Sequence, residues 1–91
     1  MNEVVLYTTG SCPYCVRAKR LLDRKEVEYT EFRVDGNDVL REEMYQRSNR
    51  FTVPQIFIGE YHVGGFDDMY LLDLEGDLDP LLFPPNEQEP Q

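Results

Sequence analysis

Two cysteines are present in the 91-residue chain, and both lie in one four-residue run, Cys12-Pro13-Tyr14-Cys15. An apolar, strand-like run, Val4-Val5-Leu6-Tyr7, ends just before them, and a helix-like run from Pro13 to Lys25 begins with them. The pair therefore sits where a strand hands over to a helix. A thiol at a helix N-terminus feels the positive end of the peptide dipoles and the unpaired N–H groups of the first turn. Both favour the thiolate, which is the reactive form of cysteine. The position alone argues for thiol–disulfide chemistry.

The remaining elements follow in order. Residues 3–8 read as a buried strand, and Pro13 suits the first helical position, where a missing N–H costs nothing. Val16, Ala18, Leu21 and Leu22 form the expected apolar stripe of the first helix, with Arg17, Lys19, Arg20, Arg24 and Lys25 mostly solvated. Residues 27–34 alternate apolar and polar, as a strand with one buried face does. Asp38 is the expected N-cap of a second helix running to about Arg47, with Leu40 and Met44 facing inward. Ile56-Phe57-Ile58 and Tyr61-His62-Val63 form a hairpin around Gly59-Glu60, with His62 read as a strand-edge side chain. A third helix is expected from about Asp68 to Glu75, with Met69, Leu71, Leu72 and Leu74 apolar and Gly76 as its stop. Residues 78–83 add a turn against the core.

The order β-α-β-α-β-β-α implies a right-handed parallel crossover followed by an antiparallel hairpin. The fold class is α/β: one mixed four-stranded sheet with helices on both faces. Residues 1–83 make one domain, and 84–91 are expected to be a polar, disordered tail.

Composition excludes some classes of function. Eighteen acidic residues against nine basic ones give a net charge of −9. Nucleic-acid binding is not expected, since phosphate contacts need clustered Lys and Arg, and an anionic membrane is an equally poor partner. Neither a signal peptide nor a membrane span is expected, which points to the cytoplasm. Two cysteines in a reducing compartment then indicate catalysis or metal binding rather than a structural staple. Zinc commonly takes four ligands, and only His62 could join the two cysteines within a monomer, so no metal is expected.

A C-x-x-C at the first strand-to-helix junction is a thioredoxin-like redox motif. Two further stretches narrow it: Thr52-Val53-Pro54-Gln55-Ile56-Phe57-Ile58-Gly59 and Gly64-Gly65-Phe66-Asp67-Asp68. Together the three motifs resemble the dithiol glutaredoxins of C-P-Y-C type, over roughly residues 3–83. The resemblance implies a thioredoxin-like fold, glutathione as the reducing co-substrate, and glutathionylated or disulfide-containing proteins as substrates of a monomeric oxidoreductase. By position it implies that Cys12 is the nucleophile and Cys15 the resolving cysteine. It places glutathione against Tyr14, against Thr52 and Val53 ahead of a cis Pro54, and against Gly65, Phe66, Asp67 and Asp68. Arg41 falls where relatives carry a polar or basic residue near the glycine carboxylate of glutathione. One position departs from the pattern: Thr9 stands where many relatives have a lysine three residues before the first cysteine. The helix terminus then has to favour the thiolate, with Arg17 or Arg41 as distant positive charge.

Two other readings stay open at this point. One is a redoxin reduced by thioredoxin reductase, a possibility that Thr9 sustains although no tryptophan flanks the cysteines. The other is an iron–sulfur cluster carrier, against which Pro13 argues.

Overall fold

The computed structural model describes residues 1–84, so residues 85–91 of the expected tail lie outside it. The chain runs β1 (Val4–Thr8), α1 (Pro13–Arg24), β2 (Thr30–Arg33), α2 (Asp38–Ser48), β3 (Gln55–Ile58), β4 (Tyr61–Gly64), α3 (Phe66–Leu74) and α4 (Leu78–Leu82). The sheet order is β2-β1-β3-β4. β1 pairs parallel with β2, Val5 opposite Thr30, and antiparallel with β3, Val5 opposite Phe57. β4 closes the sheet as an antiparallel edge on β3.

All five residues of β1 are buried, because both faces of the sheet are covered. Val4 and Leu6 point to one face and join Ala18, Leu21 and Leu22 of α1, Met69 of α3, and Leu78 and Leu82 of α4 in the larger core cluster. Val5 and Tyr7 point to the other face, where Val34, Met44 of α2 and Phe57 make a smaller one. The period-two alternation of one strand thus builds both cores.

Several local expectations shift. The inner stripe of α1 is Cys15, Ala18, Leu21 and Leu22, and Val16 is exposed instead of buried. Lys19 and Lys25 are partly buried in ion pairs: Lys19 pairs with Glu31 at 3.0 Å, and Lys25 bridges Asp73 at 2.7 Å and Asp79 at 2.8 Å. That second contact ties the end of α1 to α3 and α4, and the hydrogen bond to Asp73 raises the Lys25 pKa, with Asp79 adding to it. The regular part of β2 is shorter than the alternating run, although Val27 and Val34 at its flanks are buried.

Asn37, not Asp38, caps α2. Its side-chain oxygen accepts the Leu40 N–H at 3.1 Å from an extended backbone. α3 starts two residues before the expected Asp68, because Gly65 takes the capping position and the Asp68 carboxylate reaches back to the Gly65 N–H at 2.9 Å. Leu71 and Leu74 of α3 face solvent, and the expected terminal turn is the short helix α4.

Candidate active site

Cys12 is the N-cap residue of α1, with extended backbone at φ −119°. Its Sγ accepts the Cys15 N–H at 3.0 Å, so the first turn of the helix points a donor at this sulfur. Pro13 at the next position supplies no competing N–H. The two cysteines are joined in a disulfide with Cα atoms 5.2 Å apart. Their exposures differ sharply: Cys12 is partly exposed, while Cys15 is 1% exposed, on the inner stripe of α1. An external reagent therefore reaches the pair through Cys12.

Two loops bring the rest of the site to this sulfur. The first, Thr9-Gly10-Ser11, leads from β1 into Cys12. It is tied to the end of β2, where the Gly10 N–H donates to Asp35 Oδ2 at 3.2 Å. Arg33 grips the same carboxylate with two donors, at 2.9 and 2.8 Å. These contacts, the guanidinium first and the Gly10 N–H second, hold the Asp35 carboxyl well below the usual carboxylate range. A Cβ on Gly10 would collide with Arg33 Nη2, so the missing side chain makes room for the guanidinium. Two residues before Gly10, the Thr8 hydroxyl donates to Glu31 at 2.6 Å and Lys19 donates to the same carboxylate. Those donors lower the Glu31 pKa against the opposing effect of burial.

The second loop, Thr52-Val53-Pro54, precedes β3. Its Val53–Pro54 bond is cis. The Val53 carbonyl oxygen lies 3.8 Å from Cys12 Sγ. Beneath the loop, the buried Gln55 amide donates to Thr52 O at 3.0 Å and Thr52 Oγ1 at 3.1 Å. Gln55 Oε1 in turn faces His62 Nε2 at 2.7 Å, which assigns the ring proton to that nitrogen. The His62 ring stacks on Phe57. Burial first, then the positive charge of Arg50, lower the His62 pKa; Asp68 opposes them and Arg47 adds a smaller lowering, so the neutral imidazole is favoured.

A groove of about 260 Å³ opens beside Cys12, lined by Tyr14, Arg50, Thr52, Val53, Pro54, Gln55, Gly65, Phe66, Asp67 and Asp68. Eight of the residues expected around glutathione are thus brought together: Tyr14, Thr52, Val53, Pro54, Gly65, Phe66, Asp67 and Asp68. Arg41 is not among them; it lies in the first turn of α2. The guanidinium in the groove belongs to Arg50, which sits 3.7 Å from Asp68. No sequence period marks Arg50, because it lies between α2 and β3; its only signal is a position two residues before Thr52-Val53-Pro54. Tyr14 is half exposed and begins an aromatic row, with Phe66 at 6.4 Å and Tyr70 a further 5.8 Å along α3. The first-turn N–H groups of α3 have no partners within the helix and offer donors to an anion.

The chain is similar to proteins of known family and fold. The family model for glutaredoxin matches residues 4–63. The chain is 57% identical to glutaredoxin 3 of Escherichia coli (strain K12) over 82 residues, which span 90% of this chain and 99% of that one. Among solved structures, the glutaredoxin of Brucella melitensis is 55% identical with a TM-score of 0.79, covering 90% of this chain and 89% of its own. A buckwheat glutaredoxin–glutathione complex is 32% identical with a TM-score of 0.81, covering 89% and 76%. The four-stranded mixed sheet with its flanking helices is the thioredoxin-like fold of these proteins.

Proposed function

This chain belongs to the glutaredoxin family and is a thiol–disulfide oxidoreductase, and from that premise we propose a specific division of labour among its residues. Reduction by glutathione is typical of the family, and the proposed co-substrate is glutathione, seated in the groove beside Cys12. Cys12 is the nucleophile and Cys15 the resolving thiol. The substrates are protein–glutathione mixed disulfides and protein disulfides, acted on by a monomer in the cytoplasm. The observation that carries this reading is the asymmetry of the pair: a partly exposed Cys12 beside the Val53 carbonyl against a Cys15 that is 1% exposed.

The chemistry follows from that asymmetry. In the reduced protein, the Cys15 N–H and the α1 N-terminus favour the Cys12 thiolate. Cys12 attacks the glutathionyl sulfur of a mixed disulfide; the S–S bond breaks and the protein cysteine leaves as a thiolate. A second glutathione thiolate then attacks the same glutathionyl sulfur, releasing oxidised glutathione and restoring Cys12. On a protein disulfide, Cys12 first forms a mixed disulfide with the substrate. Cys15 then gives up its proton and attacks Cys12 Sγ, closing the internal disulfide and releasing the second substrate thiol.

In the groove, the backbone of Val53 pairs with the peptide backbone of glutathione. The first-turn N–H groups of α3 receive its γ-glutamyl carboxylate. Asp68 is already engaged by the Gly65 N–H and by Arg50, which leaves the exposed Asp67 to meet the ammonium. Arg50 is the cation that the groove presents to the glycine carboxylate, in place of Arg41. Aromatic surface from Tyr14 and Phe66 covers the apolar side of the peptide.

The test is turnover of a glutathionylated peptide with glutathione and glutathione reductase. Cys12→Ser should lower it by more than about 100-fold. Cys15→Ser should keep this activity and lose reduction of protein disulfides. Activity that survives in Cys12→Ser, or reduction of the oxidised protein only by thioredoxin reductase, rejects the assignment.

A further inference from the structure

The outer face of α1 gathers positive charge on a chain that carries twice as many acids as bases. Arg17, Arg20 and Arg24 are all exposed and lie three and four residues apart, which stacks them on one side of the helix. Of the other basic residues, all but Arg41 are engaged. Lys19 pairs with Glu31, Lys25 with Asp73 and Asp79, Arg33 with Asp35, and Arg50 with Asp68. Arg47 lies over the Phe57 ring and donates to the Tyr7 hydroxyl. Arg41 stands apart on α2. Among the described residues, Arg20 and Arg24 have no acidic partner, although Asp23 is on the same helix beside them. The row also runs into the active site: the Arg17 guanidinium lies 5.2 Å from the centre of the Tyr14 ring, and Tyr14 lines the groove beside Cys12.

We propose that Arg17, Arg20 and Arg24 form a docking surface for an acidic segment of the protein substrate, next in its sequence to the cysteine being reduced. This rests on the proposed oxidoreductase reading and adds a partner preference to it. Charge complementarity carries the argument. Three exposed guanidiniums, none in an ion pair among the described residues, attract carboxylates, while the net negative charge of the chain disfavours the approach of an acidic segment elsewhere. From Arg17 to Arg24 the face is about 10 Å long, the reach of three or four extended residues. A substrate with its mixed disulfide at Cys12 therefore has room for a short acidic run along α1.

The experiment compares two glutathionylated peptides of equal length, one with four Glu or Asp beside the modified cysteine and one with Gln and Ser there. At low ionic strength, kcat/KM for the acidic peptide is expected to be about 5–10-fold above that for the neutral one, and the ratio should fall towards one at about 0.5 M salt. Arg20→Gln/Arg24→Gln should remove the preference and leave the neutral peptide unaffected, while Arg20→Lys/Arg24→Lys should retain it. Equal rates in the wild type, or a preference unchanged in Arg20→Gln/Arg24→Gln, would overturn the docking surface. So would a wild type with no peptide preference that binds phosphatidylglycerol vesicles through these arginines. If neither peptide turns over, the oxidoreductase reading fails instead, and the two failures are distinct.

Discussion

The loop Thr9-Gly10-Ser11 is held from outside by charge, whereas the loop Thr52-Val53-Pro54 is held from beneath by neutral groups. In the first, an exposed carboxylate, Asp35, takes the Gly10 N–H and both arms of Arg33. In the second, the buried Gln55 amide links Thr52 to a neutral His62. The two loops meet at Cys12, one delivering the sulfur and the other standing 3.8 Å from it with the Val53 carbonyl. Salt and acid act on exposed ion pairs and scarcely on buried neutral hydrogen bonds. The anchor of the thiol-delivering loop should thus be adjustable by solution conditions, and the Gln55 anchor of the Thr52-Val53-Pro54 loop far less so.

The largest effect is expected on the neutral side. Gln55→Leu leaves Thr52 and His62 without their partner and should cost about 1–3 kcal/mol of stability, read by urea unfolding. Its KM for glutathione should rise on the order of tenfold as the Thr52-Val53 backbone loses its anchor. A variant with unchanged KM would show that the loop holds its shape without this network. Gly10→Ala comes next. Its Cβ needs the space of the Arg33 guanidinium, which must swing away and release Asp35. Turnover should fall on the order of threefold with the glutathione KM unchanged, since only the thiol side moves.

Asp35→Ala is the gentlest of the three. No change in unfolding is expected, but the Gly10 amide should exchange with solvent faster, and salt should produce the same change in the wild type. The pH dependence has a definite sign. Because the folded Asp35 pKa is lowered, the tie is complete above the unfolded carboxylate value of about 3.9 and is lost as pH falls through the lower folded value. Gly10 exchange, corrected for its intrinsic pH dependence, should therefore be flat from pH 5 to 9. An exchange rate indifferent to Asp35→Ala would remove the distinction between the two loops.

The pattern of strands and the cysteine position were legible because they rest on short-range rules. Alternation in β1 and the Cys12-Pro13 helix start are visible within a few residues of sequence. The motif at Val53-Pro54 and the Gly65 to Asp68 stretch supplied most of the groove. What escaped was set by contacts between distant segments. Arg50 enters the groove only because β3 brings its preceding loop beside α3. Arg33 and Asp35 are ordinary turn-flanking charges until the parallel pairing of β1 and β2 sets them against Gly10. Asn37 and Asp38 are both good caps, and the choice fell to the residue whose extended backbone left the turn first. Val16 and Cys15 are both acceptable in an apolar stripe, and the helix rotation that buries Ala18, Leu21 and Leu22 selects Cys15.

The strand order has a consequence in time. β1 is completed by residue 8, yet it is paired on both sides, and its antiparallel neighbour β3 ends at Ile58. During synthesis, β2 can cover one of its edges by residue 33, but the other must wait for about two-thirds of the chain to be made. Cys12 and Cys15, only three residues apart, need no such partner to meet each other. A nascent chain halted before residue 55 would thus carry the thiol pair on an unfinished sheet, with the core around α1 incomplete.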